Sequence, residues 1–243
     1  MGTLVFYVLL LAGVWWWISE DPREGNEGKL AAAGSSSGAA VAAIQPTTEA
    51  TWATFEGKFK DELRILVRRG IRYSDSYYSI DYPMGDVPQN VGVSTDIVVR
   101  ALRPMGLDLQ ERIHEDKLNN PDWYNADQWQ NQKPDRNIDH RRVFNQAIFA
   151  KRFGTELPLR VWKTYRAGDL IFWRVKNGAH PDHVGIATGQ KDGRGIPTAV
   201  ELNSGSGLIS GSTPVDTWPV RGHFRLVHPS PSVLNPGQSS SAE

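Results

Sequence analysis

Apolar residues in the first half of the chain recur three or four positions apart, the spacing that places side chains on one face of a helix. This pattern predicts helices over residues 55–69, from Thr95 to about Met105, and over residues 143–153, with Gly106 and Gly154 as stop signals. The polar and aromatic stretch over residues 119–142 is predicted to be an ordered loop.

The second half of the chain changes to short runs rich in β-branched and aromatic residues. Four such runs are separated by glycine and proline: residues 169–173, 183–188, 198–202 and 223–227. Helices followed by a strand meander predict an α+β fold, in which an antiparallel sheet packs against the helices.

The ends of the chain differ from its middle. Residues 3–18 are apolar and end in three tryptophans, which predicts a signal anchor over residues 1–19. A cleaved signal peptide and a buried core helix are the alternatives. Residues 20–49 are predicted to be a flexible Gly/Ala/Ser-rich linker, residues 50–228 the folded domain, and residues 229–243 a disordered Pro/Ser-rich tail.

The composition excludes several classes of function. Lys and Arg balance Asp and Glu at 27 each, so no basic excess indicates a nucleic-acid partner. The chain has no cysteine, which excludes disulfides, zinc–thiolate sites and a thiol catalyst in this sequence. The anchor prediction places the domain outside the cytoplasm, attached to the inner membrane, in the periplasm or cell envelope, and no cofactor is indicated.

Three positions along the chain suggest acyl-transfer chemistry. Ser94 precedes the second predicted helix and shares a face with its apolar stripe, so its hydroxyl is directed toward the protein. His183 begins an apolar strand, and Asn203 follows the next one, with Glu201 at the same parity. A nucleophile, a base and a polar group that orients the base are the elements of a catalytic triad.

Each of these residues also has a purely structural interpretation. Serine before a helix is a favoured N-cap, and a histidine at a strand edge is often a hydrogen-bonded core residue. Asn203 and Glu201 are also compatible with capping of a strand end. Between these two, Asn203 is the first choice as the partner of His183, with Glu201 as the alternative.

A second polar cluster is the candidate substrate-binding region. Its members carry acidic, basic or aromatic groups: Tyr82, Asp96, His114, Asp139, His140, Arg141 and Arg142. Their spacing matches no compact metal-ligand motif, so no metal site is predicted. The two arginines are suited to bidentate binding of a carboxylate, either on a substrate or within the protein.

The motifs together resemble one family. The segments that carry the resemblance are residues 82–88, 92–101, 107–110, 114–116, 134–142, 165–169 and 183–186, in that order. They resemble the domain of unknown function 1287 family, which is similar to the NlpC-type branch of papain-like peptidases and amidases. The resemblance implies an exported bacterial hydrolase of papain-like fold that acts on peptidoglycan stem peptides or another amide.

One residue departs from the family pattern. Members typically carry cysteine where this chain has Ser94, and serine is far less acidic. A substitution made to trap a substrate, a natural pseudoenzyme and a true serine enzyme all fit, and the complete lack of cysteine favours the first. The nucleophile position precedes His183, which argues against the circularly permuted relatives that act on lipids.

Four functions therefore compete at this point. The leading one is a cell-wall hydrolase in which position 94 attacks an amide and His183 acts as base and then acid. The second is a non-catalytic module that binds the peptidoglycan peptide. A metal-dependent hydrolase and a structural scaffold follow, and the scaffold leaves the ordered His, Asp and Arg motifs unexplained.

Overall fold

The computed structural model describes residues 49–125 and 133–227. The predicted anchor and the C-terminal tail lie outside these residues, as does the linker apart from Glu49, with which the first helix begins. Among the described helices, none combines the length and apolarity needed to cross a membrane.

Four α-helices lie within the described residues. They are α1 Glu49–Arg68, α2 Ser94–Leu102, α3 Leu109–Asn119 and α4 Val143–Phe153. The three predicted helices are confirmed, although α1 begins six residues earlier than its apolar pattern. Helix α2 is extended by a 3-10 turn, Arg103–Met105, and Gly106 ends it with a φ of 82°.

Helix α3 was not predicted because its sequence is dominated by charge. Only Leu109 and Ile113 provide a buried apolar pair four residues apart. Asp108 caps the helix by accepting a hydrogen bond from the backbone N–H of Gln110. Its other buried side chains are polar, so the helix buries hydrogen-bonded groups where a usual amphipathic helix buries hydrocarbon.

The predicted loop over residues 119–142 is partly helical. It contains two short 3-10 helices, Pro121–Tyr124 and Asp139–Arg141, and residues 126–132 lie outside the described part of the chain.

The main sheet has six antiparallel strands. Their spatial order is β3 Thr155–Glu156, β8 Val220–Arg225, β4 Leu170–Trp173, β5 His183–Lys191, β6 Pro197–Glu201 and β7 Ser210–Pro214. The α+β class and all four predicted strands are confirmed. The two edge strands β3 and β7 were missed, since both are short and polar. A separate two-stranded sheet pairs β1 Arg72–Tyr73 with β2 Val91–Gly92.

Both faces of the main sheet are covered, as strand β4 shows. Leu170 and Phe172 belong to the large core that the helices close, whereas Ile171 and Trp173 belong to a smaller core on the opposite face. Successive strand residues point to opposite faces. A strand buried on both sides therefore appears in the sequence as an uninterrupted apolar run.

Replacement of Gly185 tests how tightly β5 is packed. A Cβ at this position would lie 2.7 Å from the ring of Trp173 and 2.9 Å from the carbonyl oxygen of Val200. We expect Gly185→Ala to lower the free energy of unfolding by about 1–3 kcal/mol, the usual cost of overpacking. Urea unfolding followed by circular dichroism measures this change.

Gly193→Ala is the matched control, because nothing lies within 4 Å of a Cβ added there. Equal urea midpoints for the two variants would contradict the tight packing of β5.

Candidate active site

A polar cavity of about 270 Å³ lies where the start of α2 faces the start of β5 and the residues that follow β6. Among the side chains that line it are Tyr73, Asp75, Ser94, Arg141, His183 and Asn203. Ser94 and His183 are 89 positions apart in sequence. They line the same cavity because α2 packs against β5.

Ser94 is the first residue of α2 and is buried. The interpretation of Ser94 as an N-cap is wrong: Val93 is the N-cap residue, and Asp96 satisfies its backbone N–H at 2.8 Å. Ser94 Oγ and the backbone N–H groups of Ser94 and Thr95 have no hydrogen-bond partner among the described residues. The helix therefore presents free donors, with the positive end of its dipole, at the position of the hydroxyl.

His183 is held by a buried carboxylate. Its Nε2 lies 2.9 Å from Oε2 of Glu201, and the imidazole stacks on Trp173 with ring centroids 5.6 Å apart. The edge of Trp218 closes another side at 5.3 Å. Because the carboxylate accepts, Nε2 carries the hydrogen, and Nδ1 is left without a partner among the described residues. This is the tautomer in which Nδ1 can take a proton from a group in the cavity.

Glu201 is a buried, ionised carboxylate that accepts several hydrogen bonds. Burial alone raises its pKa, but hydrogen bonds from His183, Asn203 and Thr213 outweigh burial and bring the pKa below the usual value. Asn203 donates to Oε2 at 3.0 Å, and Thr213 Oγ1 donates to Oε1 at 2.9 Å. The first choice of Asn203 as the direct partner of His183 is therefore wrong, because Asn203 supports Glu201 instead.

Arg141 binds a carboxylate of the protein itself. Its Nε and Nη2 donate to Asp96 at 2.8 and 3.1 Å, and both side chains are almost completely buried. The remaining nitrogen of the guanidinium, Nη1, donates to the carbonyl oxygen of Ser76 at 2.9 Å. The predicted bidentate geometry is present, and Asp96 stands behind the cavity as the partner that neutralises Arg141.

The other predicted substrate-binding residues do not line this cavity. His114 lies against Asp139, with Nδ1 at 3.2 Å from Oδ2, and the ring of Tyr82 meets the edge of His114 at 5.5 Å. His140 is buried, and Arg142 is the half-buried N-cap residue of α4. The described residues include no group of three His, Asp or Glu side chains placed to hold a metal ion.

Several residues at the cavity were not predicted from the sequence. Asp182 closes the loop before β5 by accepting the backbone N–H groups of Val175 and Lys176, at 2.7 and 2.8 Å. Its position directly before His183 was the available signal. Tyr73 ends the two-residue strand β1 and Asp75 follows it, and so short a strand carries no periodic pattern.

The fold and site define an α+β protein in which a helix start and a carboxylate-held histidine share a polar cavity. The chain matches the family described as "Domain of unknown function (DUF1287)" over residues 62–226, and it belongs to that family. It is 34% identical over 184 residues to "Uncharacterized protein YijF" of Escherichia coli (strain K12), an alignment that covers 75% of this chain and 87% of the relative. No solved structure matches the chain.

Substitution of Glu201 tests the support of His183. We expect Glu201→Gln to lower the free energy of unfolding at neutral pH by about 1–3 kcal/mol, because a buried set of donors loses its charged acceptor. A folded-state pKa below the unfolded value of about 4.5 means that this contribution is complete above that pH. The difference between wild type and variant then shrinks as the pH falls through the folded-state pKa.

Urea unfolding over a pH series measures the effect. Asp216→Asn is the control, since Asp216 forms an exposed pair with Arg194 at 2.9 Å and is expected to contribute less than about 0.5 kcal/mol. A Glu201→Gln effect no larger than that of the control would contradict the assigned role.

The buried His140 predicts a second pH dependence. Burial, assisted by Arg103 and Arg141, lowers its pKa from 6.5 to about 3. Between these two pKa values, His140 is protonated in the unfolded chain and neutral in the folded protein. Between about pH 7 and about pH 5 the free energy of unfolding falls by about 2 kcal/mol through this group, since one pKa unit corresponds to about 1.4 kcal/mol.

His140→Phe removes the titrating group while it keeps an aromatic ring in a site where Nδ1 has no hydrogen-bond partner among the described residues. We expect the variant to lose correspondingly less stability over the same pH range. Parallel curves for wild type and variant would show that His140 has the same pKa in the folded and unfolded states.

Proposed function

We propose that this protein is a papain-like amidase or endopeptidase of the cell wall, in the NlpC-type branch, with position 94 as nucleophile. The observation that carries the proposal is the orientation of His183. Its Nε2 is held by Glu201, and its Nδ1 is left without a partner beside the cavity that Ser94 also lines. An imidazole with one nitrogen held by a carboxylate and the other facing a cavity has the orientation that a general base requires.

The arrangement supports a two-step acyl transfer. The side chain of residue 94 attacks an amide carbonyl carbon while Nδ1 of His183 takes its proton. The negative oxygen that forms is stabilised by the unpaired backbone N–H groups at the start of α2. His183 then protonates the leaving amine, and water repeats the sequence on the acyl-enzyme with the same residue as base.

Each neighbouring residue has a role in this proposal. Glu201 fixes the tautomer of His183 and stabilises its charged form, while Asn203 and Thr213 keep Glu201 ionised. Asp96 and Arg141 are positioning residues, which hold the start of α2 at the cavity. We propose peptidoglycan stem peptides or another amide as substrate, and an envelope location reached through the apolar segment of residues 1–19.

Ser94 favours a second candidate function, that of a module that binds the peptide without cutting it. No hydrogen bond connects Ser94 Oγ with His183, although both line the same cavity. Such a bond is what activates a serine nucleophile. A thiol has a much lower pKa and ionises beside an imidazole and a helix start, so the same cavity suits cysteine better.

Restoring cysteine at position 94 tests the proposal. We expect Ser94→Cys to release soluble fragments from purified peptidoglycan, with Ser94 protein giving at least about 100-fold less product, because it lacks an activated nucleophile. Mass spectrometry of the fragments identifies the bond that is cut. In the Ser94→Cys background, His183→Ala is expected to abolish release, and Glu201→Gln to lower kcat by about 10²–10⁴-fold.

Ser94→Ala is the matched negative control, since it keeps a small side chain at the same helix start. Release by the Ser94 protein at the rate of Ser94→Cys would indicate a true serine enzyme. Binding of peptidoglycan without release by either form would favour the non-catalytic module.

A further inference from the structure

A second cavity, of about 530 Å³ and wide open to solvent, lies beside the turn that precedes the 3-10 helix Asp139–Arg141. We call it the His114 cavity. Its lining includes Tyr77, His114, Lys133, Asp135, Arg136 and Asn137. None of these residues has a role in the proposed chemistry at Ser94.

His114 is oriented by a buried carboxylate in the manner of a binding residue. Nδ1 of His114 donates to Asp139, which is 1% exposed and also accepts from Lys117 Nζ at 2.7 Å. Nε2 of His114 has no hydrogen-bond partner among the described residues, although the ring lines the cavity. The ring is thus fixed with one nitrogen available to a ligand.

The lining carries an excess of positive charge, because Arg136 and Lys133 outnumber Asp135. Arg136 and Lys133 form no ion pair within the part of the chain that the structure describes. The carboxylate of Asp135 accepts from Tyr77 Oη at 3.2 Å and from the backbone N–H of Asn137 at 2.8 Å, and these neutral donors orient it without cancelling its charge. The charge of Asp139 is matched by Lys117.

Two acidic residues of α3 approach the same region without lining the cavity. Burial, together with Glu115 and Glu111, raises the pKa of Tyr82, which packs on His114. Glu115 is exposed and Glu111 is half-buried, and neither lines the cavity. The lining itself therefore has a net positive charge, that of Arg136 and Lys133 less that of Asp135.

The His114 cavity adjoins the Ser94 cavity along two separate segments. Asp75 lines the Ser94 cavity, and Tyr77, two residues later, lines the His114 cavity. On the second segment, Ile138 lines the Ser94 cavity and Asn137 lines the His114 cavity. Consecutive Cα atoms are only about 3.8 Å apart, so the two cavities lie within the length of a few residues of each other.

We propose that the His114 cavity is a carboxylate-binding subsite that selects ligands carrying a free carboxylate a few bonds from the amide held at Ser94. Arg136 and Lys133 supply the positive charge, the guanidinium can pair with the carboxylate in a bidentate manner, and His114 fixes a polar group beside it. This inference rests on the proposed function for the identity of the amide, but its anion chemistry does not.

The first test compares two muropeptides with the Ser94 protein by isothermal titration calorimetry. One is a disaccharide tetrapeptide with free carboxylates, and the other has those carboxylates converted to carboxamides. We expect the carboxylate form to bind about tenfold more tightly, the contribution of one partly exposed charge-assisted pair. Arg136→Gln is expected to reduce this preference to about twofold or less.

Arg160→Gln is the matched control, because Arg160 is an exposed arginine that lines neither cavity. It is expected to keep the tenfold preference. Equal affinity of the wild type for both muropeptides, or a full preference retained in Arg136→Gln, would overturn the subsite while leaving the amide site of the proposed function intact.

The second test needs no peptidoglycan. Sodium succinate is titrated into the protein against matched sodium chloride, and the imidazole ¹H–¹⁵N NMR signals of His114 are followed. We expect a saturable shift in wild type and in Arg160→Gln that is lost in Arg136→Gln. If neither muropeptide binds but this shift is seen, peptidoglycan peptides fail as the proposed substrate and the anion site stands. If Arg136→Gln responds like wild type, the anion site is refuted.

Discussion

The buried pair between Arg141 and Asp96 is the interaction on which the arrangement of the site depends. Asp96 caps α2 through the N–H of Val93 and simultaneously receives both arms of the Arg141 guanidinium. Arg141 in turn fixes the loop at Ser76, and its own carbonyl oxygen accepts from Thr95 Oγ1 at 3.0 Å. Removal of either partner would strand a buried charge, which typically costs about 3–5 kcal/mol. This ion pair and its hydrogen bonds therefore hold the start of α2, the 139–141 turn and the wall of the cavity together.

The pairing of β5 with β6 provides the other half of the site. Ile186 lies opposite Val200, and this register puts His183 and Glu201 on the same face of the sheet, diagonally across from each other. Parity along the strand could be predicted from the sequence, and it correctly placed both Glu201 and Asn203 on the side of His183. The choice between them depended on how β5 and β6 pair, and this pairing is set by contacts between strands that no local pattern reveals.

The same distinction between local and long-range information explains the rest of the comparison. Helix α4 was predicted to the residue because Val143–Phe153 is apolar, regular and followed by Gly154. Helix α3 was missed because its buried residues Gln110, Asp116 and Lys117 are polar, and their burial depends on partners far away in sequence. The residues predicted to form one substrate-binding cluster lie in two places for the same reason. Arg141 pairs with Asp96. Asp139, two residues away, contacts His114 and Lys117 instead.

The position of β8 has a consequence for the order in which the protein matures. This strand is the last of the described strands in sequence, yet it lies inside the sheet, between β3 and β4. Because β4 also pairs with β5, which begins at His183, the ribosome must have released residues 220–225 before the strands beside the histidine are fully paired. Domains fold as units once their long-range contacts are available. The sheet that carries His183 is thus complete only after almost the whole described domain has been synthesised.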